Sequence, residues 1–256
     1  MQLRREPPGF RRAAVARVED LSPRLRRVTL AGRELEGLDL GLPASSVRVL
    51  LPRDGELRVP TWNGNEFLHD DGARPTIRTL TPVAGRAVGP EVDLEIVLHR
   101  GGVLSGWARQ ATPGAEVAVS GTGRGYEIDA AAPAFVVAGD ETALPAIRVL
   151  LAQLPAGADV QVFVELAAPD ARVQIDSRPR VRFEWLDLPR TAAPGEALLA
   201  AIADAAWPDD VRVWAAGEAA AMQRLRRHLF DERDLPRSHG TIRGYWKAGR
   251  SGDADD

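Results

Sequence analysis

The first half of the chain is dominated by short stretches in which hydrophobic residues alternate with polar ones. In residues 92–98 every second position is Val, Leu or Ile, which is the period of a β-strand. Similar stretches, bounded by Gly, Pro and Asp, occur at residues 11–20, 24–31, 47–52, 76–81 and 115–120. One helix is predicted among them at residues 104–111. Six short strands separated by turn residues predict an antiparallel six-stranded β-barrel.

In the second half, continuous apolar runs alternate with helical patterns. Residues 134–138 are all apolar and end in Gly139-Asp140, which is typical of a strand buried on both faces. Further strands are predicted at residues 160–164, 181–186 and 211–216, and helices at 144–154, 196–206 and 218–233. Strands that alternate with helices predict βαβ units and a Rossmann-like parallel sheet.

A change of composition near residues 129–133 marks the boundary between the two patterns. We therefore expect a barrel domain at residues 1–130 and an α/β domain at residues 131–250. Residues 251–256 contain one alanine among glycine, serine and aspartate, so we expect a disordered tail there.

Composition and charge exclude several classes of protein. The 256 residues are 45% hydrophobic and 27% charged, with 33 Lys and Arg against 36 Asp and Glu. This mixed charge is unlike the strongly basic face of nucleic-acid-binding proteins. No apolar run approaches the length of about 18 residues that a membrane span needs, and the basic N-terminal residues are not followed by the apolar segment of a secretory signal. We expect a cytoplasmic protein without a membrane span.

The side chains themselves offer little redox or nucleophilic chemistry. There is no cysteine, which excludes disulfides, thiol catalysis and cysteine-ligated clusters. The four histidines lack the spacing of a metal site, and the usual serine-hydrolase and P-loop signatures are missing. Any redox or transfer chemistry must therefore be carried by a bound cofactor, and no protein metal site is expected.

Three kinds of segment are candidate cofactor sites. Arg78-Thr79-Leu80-Thr81 puts a cation and two hydroxyls on a predicted strand that stops at Pro82, with the two threonines on one face. Residues 102–105 put glycine and a hydroxyl at a helix start, where an anion is favourable. Residues 139–142 and 217–218 combine glycine with acids after strands of the parallel sheet, at the edge where such sheets bind ligands. A surface strand, an N-cap turn and ordinary strand-to-helix turns are the alternatives.

Glu165 ends the second strand of the predicted parallel sheet. An acid at this position can hold a ribose 2′-hydroxyl. A solvated strand end would explain it equally well.

In this order, the segments resemble the siderophore-interacting protein family, the FAD-dependent ferric-siderophore reductases of the ferredoxin-reductase group. Arg78-Thr79-Leu80-Thr81 resembles the family's flavin signature, although Leu80 stands where many members have tyrosine. Residues 138–146, Ala-Gly-Asp-Glu-Thr-Ala-Leu-Pro-Ala, are the longest match. The other matching segments are residues 11–30, 96–99, 104–108, 216–218 and 244–249.

The resemblance implies roles for individual residues. Arg78 would pair with the FAD phosphates, Thr79 and Thr81 would bond near the flavin ring and ribityl chain, and Leu80 would lie beside them. The pyrophosphate and ribose path would be lined by Val97, His99, Gly102, Leu104 and Ser105. The nicotinamide side would be bordered by Gly139, Asp140, Glu141, Thr142 and Ala143, with Gly217 and Glu218 opposite and Tyr245 and Trp246 near the flavin edge.

The resemblance implies an enzyme that passes electrons from NAD(P)H through FAD to a ferric siderophore and releases ferrous iron for iron uptake. Arg243, Lys247 and Arg250 form a basic cluster that could attract an anionic chelate. No residue is expected to act as a proton-transfer catalyst, because hydride transfer depends on positioning. A general NAD(P)H–flavin oxidoreductase with another acceptor and a non-catalytic flavin- or siderophore-binding protein are the alternatives. The sequence leaves NADH, NADPH and a protein electron donor open.

Overall fold

The structure is a computed structural model that describes residues 7–85, 90–176, 178 and 180–249. The chain divides into two compact units. The first comprises Met1–Leu21 and Leu25–Gly125, and the second comprises Ser22–Arg24 and Tyr126–Asp256. The sequence places the domain boundary slightly later, at residues 130–131, and the tail at residues 251–256 lies outside the described residues.

The described part of the first unit is built on an antiparallel sheet. Its strands are β1 (Phe10–Ser22), β2 (Leu25–Ala31), β3 (Val47–Leu50), β6 (Ile77–Leu80), β7 (Pro82–Gly85), β8 (Glu91–Val97) and β9 (Glu116–Thr122), and a separate pair is formed by β4 (Thr61–Trp62) and β5 (Phe67–Leu68). The order across the large sheet is β6-β3-β9-β1-β2-β8-β7. Because Thr81 alone separates the two edge strands, they act as one bent strand that closes the sheet, and the six-stranded barrel is confirmed.

The expectation that the strand stops at Pro82 is wrong. The chain bends at Thr81 and continues at once as β7, which pairs with β8 through Pro82 and Leu94. Proline lacks a backbone N–H, but it is tolerated as the first residue of a strand. The barrel interior is filled by apolar residues such as Val28, Leu30 and Val49, and helix α1 (Val103–Gln110) packs Ala108 against them.

The described part of the second unit is a parallel sheet with helices. Its strands are β10 (Ala134–Asp140), β11 (Asp159–Leu166), β12 (Val181–Asp187), β13 (Val211–Glu218) and β14 (Gly240–Trp246). They follow the order β12-β11-β10-β13-β14, with parallel pairing throughout. Helices α2 (Leu144–Gln153), α3 (Glu196–Asp204) and α4 (Ala219–Arg227) connect them, and α4 continues as a π-helical turn at His228–Glu232. The predicted Rossmann-like sheet is confirmed.

Strand β14 is missing from the sequence-based prediction. It pairs with β13 at the edge of the sheet, and among its residues only Ile242 is buried. An edge strand that buries one side chain lacks the continuous apolar run that marks β10. No helix in the described residues has the length and hydrophobicity needed to cross a membrane.

Tyr126 begins the second unit and is 8% exposed. Burial raises the pKa of its phenol to about 12; the Arg212 cation opposes this shift and the Asp129 carboxylate adds to it. An ordinary tyrosine ionises near pH 10, so the unfolded chain loses this proton first. Stability contributed by the neutral phenol is therefore complete below about pH 10 and decreases as the pH rises towards 12.

We expect an ultraviolet titration of the native protein to show a phenol that ionises near pH 12 and disappears in a Tyr126→Phe variant. The same variant should lose less stability between about pH 10 and 12 than the wild type. The expectation is wrong if the transition removed by the substitution has its midpoint near pH 10.

Candidate functional site

In the first unit, strand β6 carries Arg78, Thr79 and Leu80, which are predicted to bind the flavin. Their side chains lie in different environments. Thr79 is exposed, whereas Arg78 and Leu80 are half-buried, and Leu80 packs against the barrel core. Thr81 is only 7% exposed because it lies at the bend between β6 and β7. The two threonine hydroxyls therefore do not share one solvent-facing surface.

The loop between β8 and α1 is held by side-chain bonds to its own backbone. The Ser105 hydroxyl donates to the Val97 carbonyl oxygen at 3.0 Å and accepts from the His99 backbone N–H at 3.1 Å. Arg109 donates to the His99 carbonyl oxygen at 3.0 Å. Ser105 is buried, so its hydroxyl stabilises the loop conformation and does not face solvent.

The amino end of α1 is open. Its N-cap is Gly102, no side chain in the described residues caps it, and its first turn has no acid. The first amides of a helix lack intrahelical acceptors, and they attract anions together with the helix dipole. His99 and Gly101 beside this end are exposed, and Val103 is 47% exposed. A Cβ on Gly102 would meet the exposed His99 ring, which would have to move aside to accept a larger residue.

In the second unit, the predicted residues meet at the carboxyl ends of β10 and β13. The strand order reverses between these two strands, which is the usual ligand position of an open α/β sheet. The Asp140 carboxylate accepts four hydrogen bonds there. Oδ1 accepts from the backbone N–H of Thr142 at 2.9 Å and from its hydroxyl at 2.5 Å, and Oδ2 accepts from the Glu218 N–H at 3.0 Å and the Trp246 indole at 2.7 Å.

Burial raises the pKa of the Asp140 carboxyl above its ordinary value, and the Glu165 charge adds to this effect. The hydrogen bonds from Thr142 and Trp246 oppose the shift by stabilising the ionised form. Three residues donate four hydrogen bonds to Asp140, so its carboxylate holds the strand ends together as an acceptor.

The side chains of Glu141 and Ala143 are buried. Glu141 is 4% exposed and its carboxylate accepts from Arg24 at 2.8 and 3.0 Å and from the Ala167 backbone N–H at 2.7 Å. Close packing within the protein also requires glycine at the end of β10. A Cβ on Gly139 would clash with Ala143 and with the Ala216 carbonyl oxygen.

Each helix that starts at this edge of the sheet has a carboxylate at its amino end. Asp140 caps the turn that leads into α2, and Glu218 caps α4 through the Ala221 N–H at 2.8 Å. Glu165 is 2% exposed and accepts from the N–H groups of Gly195 at 2.6 Å and Leu198 at 3.0 Å, at the start of α3. Glu165 is therefore a buried helix cap, and the solvated strand end is wrong; a ribose would have to share the oxygens that accept these two N–H groups.

The C-terminal segment lies across the same edge. Besides the Trp246 bond to Asp140, the Ala248 N–H donates to Glu218 Oε1 at 3.2 Å. Tyr245 is half-buried and Trp246 is 39% exposed. Of the predicted substrate cluster, Arg243 is half-buried, Lys247 is exposed and Arg250 lies outside the described residues.

Two family models match the chain. A siderophore-interacting FAD-binding domain matches residues 14–125, and a siderophore-interacting protein model matches residues 132–249. The chain belongs to the siderophore-interacting protein family. It contains the family's FAD-binding domain and is thus a flavoprotein with FAD as its cofactor.

Two curated relatives match this chain along most of their own length. The chain is 30% identical to the NADPH-dependent ferric-chelate reductase of Escherichia coli, over 93% of both chains. It is 29% identical to the ferric vibriobactin reductase ViuB of Vibrio cholerae, over 91% of this chain and 88% of the relative.

Solved structures that superpose on this chain have the same fold. A siderophore utilization protein from T. fusca superposes with a TM-score of 0.84 at 31% identity, covering 97% of both chains. The ferredoxin reductase of carbazole 1,9a-dioxygenase, at 14% identity and a TM-score of 0.67, covers 95% of this chain and 71% of its own. The ferredoxin-reductase-like fold is therefore confirmed.

The residues of the first unit fit FAD. The uncapped amino end of α1 and the half-buried guanidinium of Arg78, which donates to the Ile77 carbonyl oxygen at 2.9 Å, are the kinds of donor that bind a pyrophosphate. The second unit differs, because carboxylates already accept from amides at the starts of α3 and α4 and in the turn before α2.

Val103 allows the open helix end to be tested. A Val103→Glu variant places a negative charge in the first turn of α1, at a side chain that is 47% exposed. It should leave the apo-protein as stable as the wild type or slightly more stable, because the helix dipole favours an acid there. FAD should bind about tenfold or more weakly, because two like charges a few ångströms apart repel by about 1–2 kcal/mol near a surface.

The matched control is Val103→Gln, which has nearly the same shape without the charge. FAD affinity from fluorescence titration and the melting temperature of the apo-protein check both parts. Equal FAD affinity in the two variants would show that no phosphate lies at this helix end.

Proposed function

We propose that this chain is a ferric-siderophore reductase that takes electrons from NAD(P)H through FAD and releases ferrous iron. The observation that carries the proposal is the uncapped amino end of α1 in the FAD-binding unit, in a chain that also contains a nucleotide-type parallel sheet. The names of two relatives, a ferric-chelate reductase and a ferric vibriobactin reductase, support the acceptor.

The chain's residues bind and position; they do not supply the electrons. Bound FAD supplies the conversion of a two-electron donor into one-electron steps. Arg78 and the α1 amides would hold the phosphates, and Thr79 offers an exposed hydroxyl on the same strand as Arg78. Asp140, Thr142 and Glu218 order the edge of the sheet where nicotinamide would bind. One hydride carries two electrons and each ferric ion accepts one, so two ferrous ions form for each NAD(P)H oxidised.

The test is anaerobic oxidation of NAD(P)H by the purified holoprotein with a panel of ferric siderophores and a chromogenic ferrous chelator. We expect oxidation that depends on the chelate, with about two ferrous ions trapped per nucleotide. If quinones or free flavin support oxidation of NAD(P)H and ferric chelates do not, the protein is the general flavin oxidoreductase. Chelate binding without turnover would indicate a binding protein.

Lys247 tests the basic cluster as the site of chelate attraction. Its side chain is exposed, and an exposed charge acts on an anionic substrate mainly within the screening length of about 10 Å at 0.1 M salt. A Lys247→Glu variant should therefore raise KM for an anionic ferric siderophore severalfold at low salt and much less at high salt.

Flavin content and the rate of flavin reduction by the donor serve as internal controls and should match the wild type. A KM that is unmoved at low ionic strength would exclude this residue from the substrate site.

A further inference from the structure

Strand β12 lies at one edge of the parallel sheet. In the order β12-β11-β10-β13-β14 it pairs with β11 on one side, and no strand of the described residues pairs with it on the other. Its sequence, Val-Arg-Phe-Glu-Trp-Leu-Asp, contains no proline, glycine or lysine, and its register with β11 is unbroken. It therefore lacks the proline, the lysine and the bulge that often keep an edge strand from pairing with another chain.

The backbone groups that face away from β11 belong to every second residue of β12. The Val160 N–H donates to the Arg180 carbonyl oxygen at 2.9 Å, and Val160 lies opposite Val181. In a parallel ladder the backbone groups of Arg180 and of the alternate residues after it then face β11, and the residues between them face outwards. The outward-facing residues of the first five in the strand are Val181, Phe183 and Trp185.

The side chains of β12 form an aromatic face and a charged face. Phe183 and Trp185 are half-buried, and their ring centroids are 4.8 Å apart. Arg182 and Glu184 are exposed on the other face, and neither forms an ion pair with a described residue. An open cavity of about 270 Å³ beside them is lined by residues of β11 and β12 alone. The middle of the strand is thus accessible to an approaching chain.

The order of the charges favours one register for the pairing of two copies. Two identical edge strands that meet about a twofold axis run antiparallel, and outward-facing residues must then lie opposite one another to form hydrogen bonds. An axis at Arg182 or at Glu184 would set like charges opposite each other, which is destabilising. An axis at Phe183 instead places Arg182 of each copy opposite Glu184 of the other.

We propose that β12 pairs with β12 of a second copy of this chain, antiparallel and centred on Phe183, so that one continuous sheet crosses the dimer. The two Phe183 residues would exchange backbone hydrogen bonds, and the Trp185 N–H of each copy would donate to the Val181 carbonyl oxygen of the other. Arg182 and Glu184 would form the non-hydrogen-bonded pairs, in which side chains are closest. The aromatic face would continue from one copy into the other.

This pairing goes beyond the proposed function and does not depend on it. The edge between β10 and β13, where a nucleotide would bind, is separated from β12 by β11. A short strand pair is a small interface, so we expect a weak dimer that forms at high protein concentration and a chain that also folds as a monomer.

The test is sedimentation velocity of the holoprotein over a wide range of protein concentrations. The wild type should show a monomer–dimer equilibrium. Arg182→Glu and Glu184→Arg should each weaken the dimer about 10- to 100-fold, because each variant turns both symmetric charge pairs from attraction into repulsion. The matched control is Arg227→Glu, an equal charge change at an exposed residue of α4. It should dimerise like the wild type.

Two rescue experiments test the register itself. The double variant Arg182→Glu/Glu184→Arg exchanges the two charges and should dimerise about as well as the wild type. An equimolar mixture of the two single variants should form a heterodimer, since every cross-strand pair then joins opposite charges. Flavin content and circular dichroism of each variant should match the wild type, which separates a lost interface from a lost fold.

Several results would overturn the proposal. A wild type that remains monomeric at every concentration would exclude the dimer. A dimer that persists in Arg182→Glu, or one that Arg227→Glu weakens equally, would place the contact elsewhere or reduce it to net charge. Failure of both rescue experiments with folded variants would contradict the register centred on Phe183.

Discussion

An Arg78→Ala variant is expected to bind FAD about 10- to 100-fold more weakly and to lose it during gel filtration. Charge-assisted hydrogen bonds contribute about 1.5–3 kcal/mol each, and Arg78 lies half-buried on a strand of the closed barrel. Arg78→Lys should be intermediate, since lysine keeps the charge but loses the bidentate geometry. FAD dissociation constants from fluorescence titration of the apo-protein measure the effect.

Arg58→Ala is the matched control for this variant. Arg58 is an exposed arginine of the same unit and pairs with Glu56 at 2.6 Å. The Arg58→Ala variant should retain FAD fully. Full retention by Arg78→Ala as well would contradict the assignment of Arg78 to the FAD phosphates.

A Glu165→Ala variant is expected to have a free energy of unfolding about 3 kcal/mol lower than the wild type. It leaves the N–H groups of Gly195 and Leu198 without their acceptors at the buried start of α3, and each buried unsatisfied donor costs about 1–3 kcal/mol. Glu165→Gln keeps one good acceptor, so its free energy of unfolding should fall by about half as much. Urea unfolding of the apo-proteins, followed by circular dichroism, provides the comparison.

The control for Glu165 is Glu184→Ala on the neighbouring strand β12, where the side chain is exposed. Its stability should stay within about 0.5 kcal/mol of the wild type. Unchanged stability of Glu165→Ala together with weakened nucleotide binding would return Glu165 to the ribose site and contradict the cap.

Sequence patterns predicted the elements that bury many side chains. The run of apolar residues in β10 and the alternation in β8 were sufficient to place both strands. Strand β14 was missed because one buried residue, Ile242, produces no periodicity. The stop at Pro82 was wrong because local propensity does not reveal that a chain can bend at Thr81 and find a new partner strand.

In the candidate site, too, the sequence predicted some features and missed others. Glycine and acid at the ends of β10 and β13 were found from their order along the chain. Their partners were not, because Arg24 is distant from Glu141 in sequence, and Trp246 from Asp140. A carboxylate followed by a helix could bind either a ligand or its own backbone, and only the positions of the amide groups distinguish these roles.

The sequence by itself determined the barrel, the parallel sheet and the segments from which a flavin and nucleotide site can be built. Hydrophobic periodicity and glycine positions are local properties of the chain, and they suffice for that. Tertiary structure decided which charged groups remain available. Glu141, Glu165 and Asp140 are committed to the protein's own donors, while the start of α1 has no side-chain cap among the described residues. A buried carboxylate must be satisfied wherever the fold places it, and that requirement arises from three-dimensional packing.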